Sequence, residues 1–239
     1  MSAIKKVISR EYFSFFKIPA GWFALSVMML SNGLLFIFDI FEPGKEASLR
    51  PLLQLNGWLL LFIGPALGMR TFSEEYRSGT WCFLANSKLT NSQIVFGKFV
   101  SILLLLVTSV SPLLPCGIVL EIYGDPDWGE FFCGLLGVLL AGVIYGTTAM
   151  FFSSWTSSQS VAFLGGIFFW MMLTLLARFT IPILPESIVS TVVYLDITQK
   201  IVPFSLGLFD TANLIYLFSW ILVILFFTVC IISQKRWTA

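Results

Sequence analysis

The stretch from Phe99 to Leu120 reads FVSILLLLVTSVSPLLPCGIVL and contains no Asp, Glu, Lys or Arg. A hydrocarbon layer about 30 Å thick needs about 20 helical residues, so this stretch can cross a bilayer. Five more uncharged stretches of similar length are Ile18–Phe38, Pro51–Met69, Phe131–Phe152, Trp155–Ala177 and Thr211–Gln234. Runs this long and without alternation are not barrel strands, and in lipid only a helix otherwise satisfies its own backbone. The sequence predicts an all-α, polytopic membrane protein with six transmembrane helices.

Composition limits what else the chain can contain. Of its 239 residues 57% are hydrophobic and 11% are charged, and the mean hydropathy is +0.91. Soluble proteins average about 25% charged residues. The six stretches use more than half of the chain, which leaves no room for a separate soluble domain. We expect a single transmembrane domain over residues 1–239.

Residue types argue against catalysis by this chain. There are no histidines, and the four cysteines show no C-x-x-C spacing. The commonest general base and the commonest metal ligand are therefore missing. Gly97-Lys98 is not part of a phosphate-binding loop, because Phe99 follows it and the required upstream glycine is absent. We expect a non-catalytic subunit that holds no metal and no cofactor of its own.

The distribution of basic residues predicts the orientation. With both termini inside, the inner segments carry ten Lys and Arg residues and the outer segments carry four, Lys45, Arg50, Arg178 and Lys200. Basic residues concentrate on the cytoplasmic side of membrane proteins. We therefore expect cytoplasmic N- and C-termini.

Residues 1–17 have the pattern of an interfacial helix. Apolar residues recur at helical spacing from Ile4 to Phe16, while Lys5, Lys6 and Arg10 lie on the other side. Such a helix lies on the membrane surface with its basic face toward anionic headgroups. Two interpretations remain open: a simple anchor, or an elbow helix that also contacts a cytoplasmic partner.

Residues 70–98 form the longest inner segment. Thr71 and Glu74 match a capping box, as do Thr90 and Gln93, and Gly79 is placed to end the first of two short helices. Two capped helices with apolar residues between them indicate a folded element that docks onto the bundle or onto another protein.

Residues 178–210 are outer-facing but too apolar for a solvated loop. Pro182, Pro185 and Pro203 prevent one continuous spanning helix. Two interpretations are open: short helices that dip into the outer leaflet and return, or an outer cap. The re-entrant interpretation is the preferred one.

Three sequence elements resemble the permease subunits of ABC-2-type ABC transporters. Arg70–Thr80 reads RTFSEEYRSGT and Ser92–Lys98 reads SQIVFGK, similar to the segments after span two and before span three in that family. Phe204–Asp210 reads FSLGLFD and is similar to the segment before the last span. The nearest subgroup looks like the permeases associated with gliding motility and with nitrous-oxide-reductase maturation.

The resemblance implies a fold, partners and site residues. It implies a dimer, with a second copy or a related permease, over two ABC ATPase subunits that bind ATP and Mg²⁺. It implies a bacterial inner (plasma) membrane location with surrounding lipids, a possible periplasmic partner and no nucleic acid. The implied ATPase-coupling interface comprises Phe72, Glu74, Glu75, Arg77, Gly79 and Thr80. The implied outer re-entrant element includes Phe204, Gly207 and Asp210.

Three functions remain open at this point. The first is a permease subunit that couples ATP hydrolysis in a partner to export of an unidentified substrate. The second is a mechanical transmitter or membrane anchor that drives a periplasmic partner without substrate translocation. The third is an ATP-independent scaffold or lipid scramblase.

Overall fold

A computed structural model describes residues 2–40, 47–87, 89–180 and 194–237. Its helices are α1 Ser2–Phe16, α2 Pro19–Leu35, α3 Arg50–Gly68, α4 Arg70–Arg77, α5 Trp81–Ala85, α6 Asn91–Val110, α7 Leu113–Tyr123, α8 Trp128–Trp155, α9 Gln159–Thr180, α10 Ile197–Ser205 and α11 Thr211–Trp237. Within these residues six helical segments are long and apolar enough to cross a membrane. The predicted all-helical fold with six spans is confirmed, and the protein is a membrane protein.

Three spans contain more than one helical segment, and the second span, Arg50–Arg77, consists of α3 and α4. The first continues from α2 into a π-helical turn over Phe36–Ile40. The third consists of α6 and α7, which meet at Ser111-Pro112. Proline has no backbone N–H to donate and forces this break inside an otherwise apolar run.

The predicted capping box at Thr71 and Glu74 is wrong. The second span covers Arg50–Arg77, and the turn at Met69 between α3 and α4 keeps right-handed helical angles, so α4 continues the direction of α3. The Thr71 hydroxyl donates to the Gly68 carbonyl at 2.8 Å, and Glu74 pairs with Arg70 one turn earlier. The Phe72 and Ser73 N–H groups donate instead to Ser153 Oγ of α8, at 3.0 and 2.8 Å, so a serine distant in sequence caps the start of α4.

The other two predicted helix boundaries are confirmed. The Thr90 hydroxyl accepts from the Gln93 N–H while the Gln93 side chain accepts from the Thr90 N–H, a complete capping box at the start of α6. Gly79 follows α4 with φ of 71°, the left-handed conformation expected after a helix end. The chain therefore turns sharply between α4 and α5.

The fourth span, α8, is the central helix. It packs against α3, α4, α6, α9, α10 and α11, and 67% of its apolar window is buried, compared with 22% for the first span. Its closest approach is to α3, where a Cβ atom on Gly68 would overlap the Gly146 carbonyl oxygen. A Cβ on Gly64 would lie 2.9 Å from the Cβ of Tyr145. Gly64-x-x-x-Gly68 and Gly142-x-x-x-Gly146 thus let two helix backbones touch, as small residues do in membranes.

A buried amide pair joins the first two spans. The Asn56 side-chain amide donates to Asn32 Oδ1 at 2.5 Å, and the Asn32 amide donates back at 3.3 Å. Each amide also donates to the carbonyl four residues earlier in its own helix, at 2.8 Å for Asn32 and 2.7 Å for Asn56. These two residues therefore bind each other inside the bundle, where an unpaired amide would be costly.

One end of the bundle gathers α1, α4, α5, the start of α6 and the last turns of α8 and α11; we call it the terminal end. Here α1 packs along α6, and Val7 lies against Gly97. A Cβ added to Gly97 would lie 3.3 Å from a methyl group of Val7. At the opposite end, the far end, Arg50 at the start of α3 pairs with Glu130 at the start of α8, at 2.5 Å.

The predicted outer segment 178–210 is covered only in part. Residues 181–193 lie outside the described residues. The remainder includes α10, which packs against α8 and begins with Asp196 accepting from the Thr198 N–H at 3.0 Å. The re-entrant interpretation stays a prediction.

Candidate functional site

A buried lysine lies at the centre of the terminal end. Lys98 has 0% exposure, and its Nζ is 3.0 Å from Glu11 Oε1 and 3.1 Å from Glu75 Oε1. The same ammonium donates to the Thr71 carbonyl and lies 4.8 Å from the centre of the Phe72 ring. One side chain on α6 therefore holds α1 and α4 together.

Arg10 completes a neutral group of four charges. Its Nη2 is 2.8 Å from Glu11 Oε1 and 2.7 Å from Glu75 Oε1. We call Arg10, Glu11, Glu75 and Lys98 the Lys98 cluster. Taking an ammonium out of water is costly unless it is paired and hydrogen-bonded, and two carboxylates, a carbonyl and a ring face supply that compensation here.

The ionisation of the cluster follows from its geometry. Burial on its own raises the pKa of Glu11, but the positive charges of Lys98 and Arg10 and their hydrogen bonds lower it further, so the net shift is downward. Burial on its own lowers the pKa of Arg10, and its contacts with Glu11 and Glu75 reverse that, so the net shift is upward. Glu11 and Arg10 are therefore both charged at neutral pH.

The structure separates the residues of the implied coupling interface into two groups. Phe72 is 0% exposed and Glu75 is 8% exposed, so both face the interior of the bundle in this arrangement. Glu74 is half-exposed and paired with Arg70 at 2.8 Å. Arg77, Gly79 and Thr80 are exposed. The coupling role of all six stays a prediction, and only the exposed ones can meet a partner directly without rearrangement.

An exposed aromatic residue extends this surface. Phe83 is 81% exposed on α5, while Trp81 and Leu84 of the same helix are buried. We call the exposed group the α5 tip: Arg77, Gly79, Thr80, Cys82 and Phe83. Phe83 is absent from the sequence-based set, although the spacing of Trp81 and Leu84 already places it on the opposite face of the helix.

The last turn of α11 is hydrogen-bonded to the segment that follows α5. The Arg236 guanidinium donates to the carbonyls of Ser87 and Leu89, each at 3.0 Å, and to Asn91 Oδ1 at 2.8 Å. Lys235 donates to the Trp155 carbonyl at 3.1 Å and lies 4.0 Å from the centre of the Tyr76 ring. The end of the sixth span therefore contacts both sides of the α4–α5 segment.

The predicted basic face of α1 contains two exposed lysines and one arginine that is ion-paired. Lys5 and Lys6 are exposed, as expected for residues that face headgroups or a partner. Arg10 keeps a 57% exposed side chain but directs its guanidinium toward Glu11 and Glu75. Arg10 thus belongs to the Lys98 cluster rather than to a freely solvated face.

The three predicted residues of the outer element have structural contacts. Phe204 is 0% exposed and packs against Gly137. A Cβ added to Gly137 would lie 2.7 Å from the Cβ of Phe204. Gly207 has φ of 74° and turns the chain after α10. Asp210 accepts from the Ala212 N–H at 2.9 Å and so caps α11.

A cleft of about 280 Å³ opens between α3, α8, α9 and α10. Its lining combines polar side chains, which are Gln54, Thr174, Thr198 and Ser205, with apolar ones that include Trp58, Leu61 and Val138. A mostly apolar cleft with a few polar groups is the usual form of a small-molecule binding site.

No protein-family model matches the chain, and no curated protein is significantly similar to it.

Proposed function

We propose that this protein is the permease subunit of an ABC-2-type exporter, which couples ATP hydrolysis in a separate ATPase to movement of a substrate across the bacterial inner membrane. The observation that carries the proposal is the α5 tip. A folded, exposed surface that includes Phe83 lies at the terminal end, and the Lys98 cluster connects its neighbour α4 to α1 and to the third span. The excess of basic residues at that end favours a cytoplasmic location.

The proposal assigns docking to exposed side chains. Phe83 supplies the apolar anchor, and Arg77 supplies charge complementarity to an acidic surface on the ATPase. Exposed aromatic and arginine residues dominate the free energy of protein interfaces. The ATPase would dock two such chains, either two copies or this chain with a related permease, and would carry the ATP and Mg²⁺.

The test is affinity purification from native membranes in mild detergent, followed by mass spectrometry of the proteins that co-elute. We expect a stoichiometric ATPase with nucleotide-binding motifs. Replacing an interface anchor costs about 2 kcal/mol or more, so Phe83→Ser should weaken ATPase binding about 30-fold. Phe38→Ser is the matched control, since Phe38 is 75% exposed and lies at the far end. A chain that elutes alone in several gentle detergents would support the ATP-independent scaffold instead.

The cleft favours transport over purely mechanical transmission. Two glycine substitutions, one inside the cleft and one outside it, distinguish these two functions. A Cβ on Gly57, which lines the cleft, would meet nothing within 4 Å, and the same holds for Gly33 on the first span. We expect Gly57→Leu to fill the cleft and abolish stimulation of ATPase activity by a titrated single-chain phospholipid in the reconstituted complex. Gly33→Leu should leave that stimulation intact. If the phospholipid stimulates ATPase activity equally in both variants, the mechanical transmitter is favoured.

A further inference from the structure

A buried carboxylate lies next to the cleft, in contact with two of the residues that line it. Asp196, the N-cap residue of α10, is 3% exposed. Its Oδ1 accepts from the Thr198 N–H at 3.0 Å and from the Thr174 hydroxyl at 3.3 Å. Thr174 and Thr198 both line the cleft. The negative charge of Asp196 is therefore one hydrogen bond away from the cleft wall.

Within the described part of the chain, no Lys or Arg side chain forms an ion pair with Asp196. The ion pairs there involve other carboxylates, those of Glu11, Glu74, Glu75 and Glu130. Lys200 lies one turn further along α10, but its ammonium contacts the ring faces of Tyr194 and Tyr216, 3.8 and 5.6 Å from their centres. Ionisable residues buried in membrane proteins ordinarily have a partner and mark ligand or ion sites. Asp196 is thus placed to receive its counter-ion from a ligand.

Two hydroxyl groups that line the cleft can only accept hydrogen bonds from a ligand. The Thr174 hydroxyl donates its proton to Asp196, and the Ser205 hydroxyl donates its proton to the Val202 carbonyl at 2.8 Å. A hydroxyl has one proton and two acceptor lone pairs. Because both protons are already used, a ligand that binds these oxygens must supply N–H or O–H donors.

The remaining lining favours an alkyl chain and disfavours an anion. Among the described residues that line the cleft none is basic, so an anionic group finds no counter-ion there. Most of the others are apolar, and they include Leu53, Leu61, Val138, Leu175 and Ile201. Burial of an alkyl chain against such side chains is favourable in proportion to the apolar area removed from water.

We propose that the cleft selects an amphiphile whose polar end is a primary ammonium, with Asp196 as its counter-ion and the Thr174 and Ser205 oxygens as hydrogen-bond acceptors. This inference rests on the proposed function, because it names the class of substrate that the exporter carries: a lipophilic primary amine. An ammonium has three N–H donors and no acceptor, which complements the acceptors of the cleft. Hydrogen bonds from a charged donor are also about twice as strong as neutral ones.

The test is equilibrium binding of radiolabelled decylamine to the purified chain in nanodiscs, with binding to protein-free nanodiscs subtracted. Decanol, which lacks the charge, and decyltrimethylammonium, which lacks the N–H donors, serve as competitors. We expect saturable binding of decylamine and weaker competition by the other two compounds. Gly57→Leu, which fills the cleft, should abolish this binding. Equal competition by decanol would overturn the inference.

Asp196→Asn separates the charge of this residue from its structural role. Asparagine keeps Oδ1 for Thr174 and is as good an N-cap residue as aspartate, so α10 should stay in place. A hydrogen bond to a charged group contributes about 1.5–3 kcal/mol, so decylamine should bind this variant about 10- to 100-fold more weakly. Retention of the parent affinity would show that Asp196 is not the counter-ion.

The matched control is Asp210→Asn. Asp210 also accepts a hydrogen bond at a helix start, from the Ala212 N–H at 2.9 Å, but it is exposed and does not line the cleft. Its replacement removes the same charge and should leave decylamine affinity unchanged. Equal loss of affinity in the two variants would assign the effect to surface charge and would overturn the inference.

A second measurement connects binding to transport. In the reconstituted complex, decylamine should stimulate ATPase activity with the parent chain and fail to do so with Asp196→Asn. A single-chain phospholipid tests whether the cleft admits an amphiphile at all, whereas the amine series tests which polar end it selects. Loss of the amine preference while an ATPase still co-elutes overturns this inference alone. A chain that binds no ATPase overturns the proposed function and the substrate assignment together.

Discussion

Gly68→Ala is expected to destabilise the protein by about 3 kcal/mol, the upper range for inserting one methyl group into a packed core. The added Cβ would overlap the Gly146 carbonyl oxygen, which is backbone and cannot rotate away. Relief requires α3 and α8 to separate, and α8 is the helix that most other elements contact. The measurement is denaturant unfolding of the chain in bicelles, followed by tryptophan fluorescence.

Gly57→Ala is the matched control for that prediction. Gly57 lies on the same helix, and its added Cβ would meet nothing within 4 Å. Alanine is the better helix former by about 1 kcal/mol in water, so this variant should be as stable as the parent or more stable. Similar unfolding midpoints for Gly68→Ala and Gly57→Ala would show that the helix crossing tolerates the extra volume.

Glu75→Lys is expected to have a comparable effect at the terminal end. The substitution places a third cation beside Arg10 and Lys98, and leaves Glu11 as the remaining carboxylate of the cluster. Removing one partner of a buried ion pair costs about 3–5 kcal/mol. We expect α1 to detach from α6, so limited trypsin digestion should cut at Lys5, Lys6 and Arg10 much faster than in the parent.

Glu74→Lys distinguishes that effect from a general response to charge reversal. The Glu74 side chain is 46% exposed and pairs with Arg70 on the same helix. An exposed pair of this kind contributes about 0–1 kcal/mol, so digestion of α1 should proceed at the parent rate. Equal digestion of the two variants would mean that the Lys98 cluster does not hold α1 in place. ATPase binding measured on Glu74→Lys then tests its separate coupling role.

The spans could be predicted from sequence because lipid leaves no alternative. A backbone of about 20 uncharged residues must satisfy itself within the hydrocarbon layer, and a helix does so without reference to the rest of the chain. The four-residue spacing of Gly64 and Gly68, and of Gly142 and Gly146, also marks both helices as able to pack closely against a neighbour. The pairing of those two helices, rather than any other two, required the structure.

The local sequence pattern does not predict how α4 begins near Thr71, and it does not predict that Lys98 is buried. Thr71 and Glu74 have the residue types of a capping box, but the Phe72 and Ser73 N–H groups donate to Ser153 of α8, about 80 positions away in sequence. Lys98 follows a glycine near the membrane surface, where a lysine ordinarily extends toward water. Its burial depends on Glu11 and Glu75, which lie 87 and 23 positions away in sequence. Contacts of that range depend on the fold as a whole.

If ATPase docking tilts the Arg50–Arg77 segment, as the proposed function implies, that segment acts as a lever. Its closest contact, Gly68 against Gly146, is a natural fulcrum. At 1.5 Å per residue the arm toward Arg50 is about 27 Å long and the arm toward Arg77 about 14 Å. A tilt that moves the Arg77 end by about 2 Å therefore moves the Arg50 end by about 4 Å in the opposite direction. Under the proposed function, a small stroke at the α5 tip would be doubled at the end of α3 that lines the cleft.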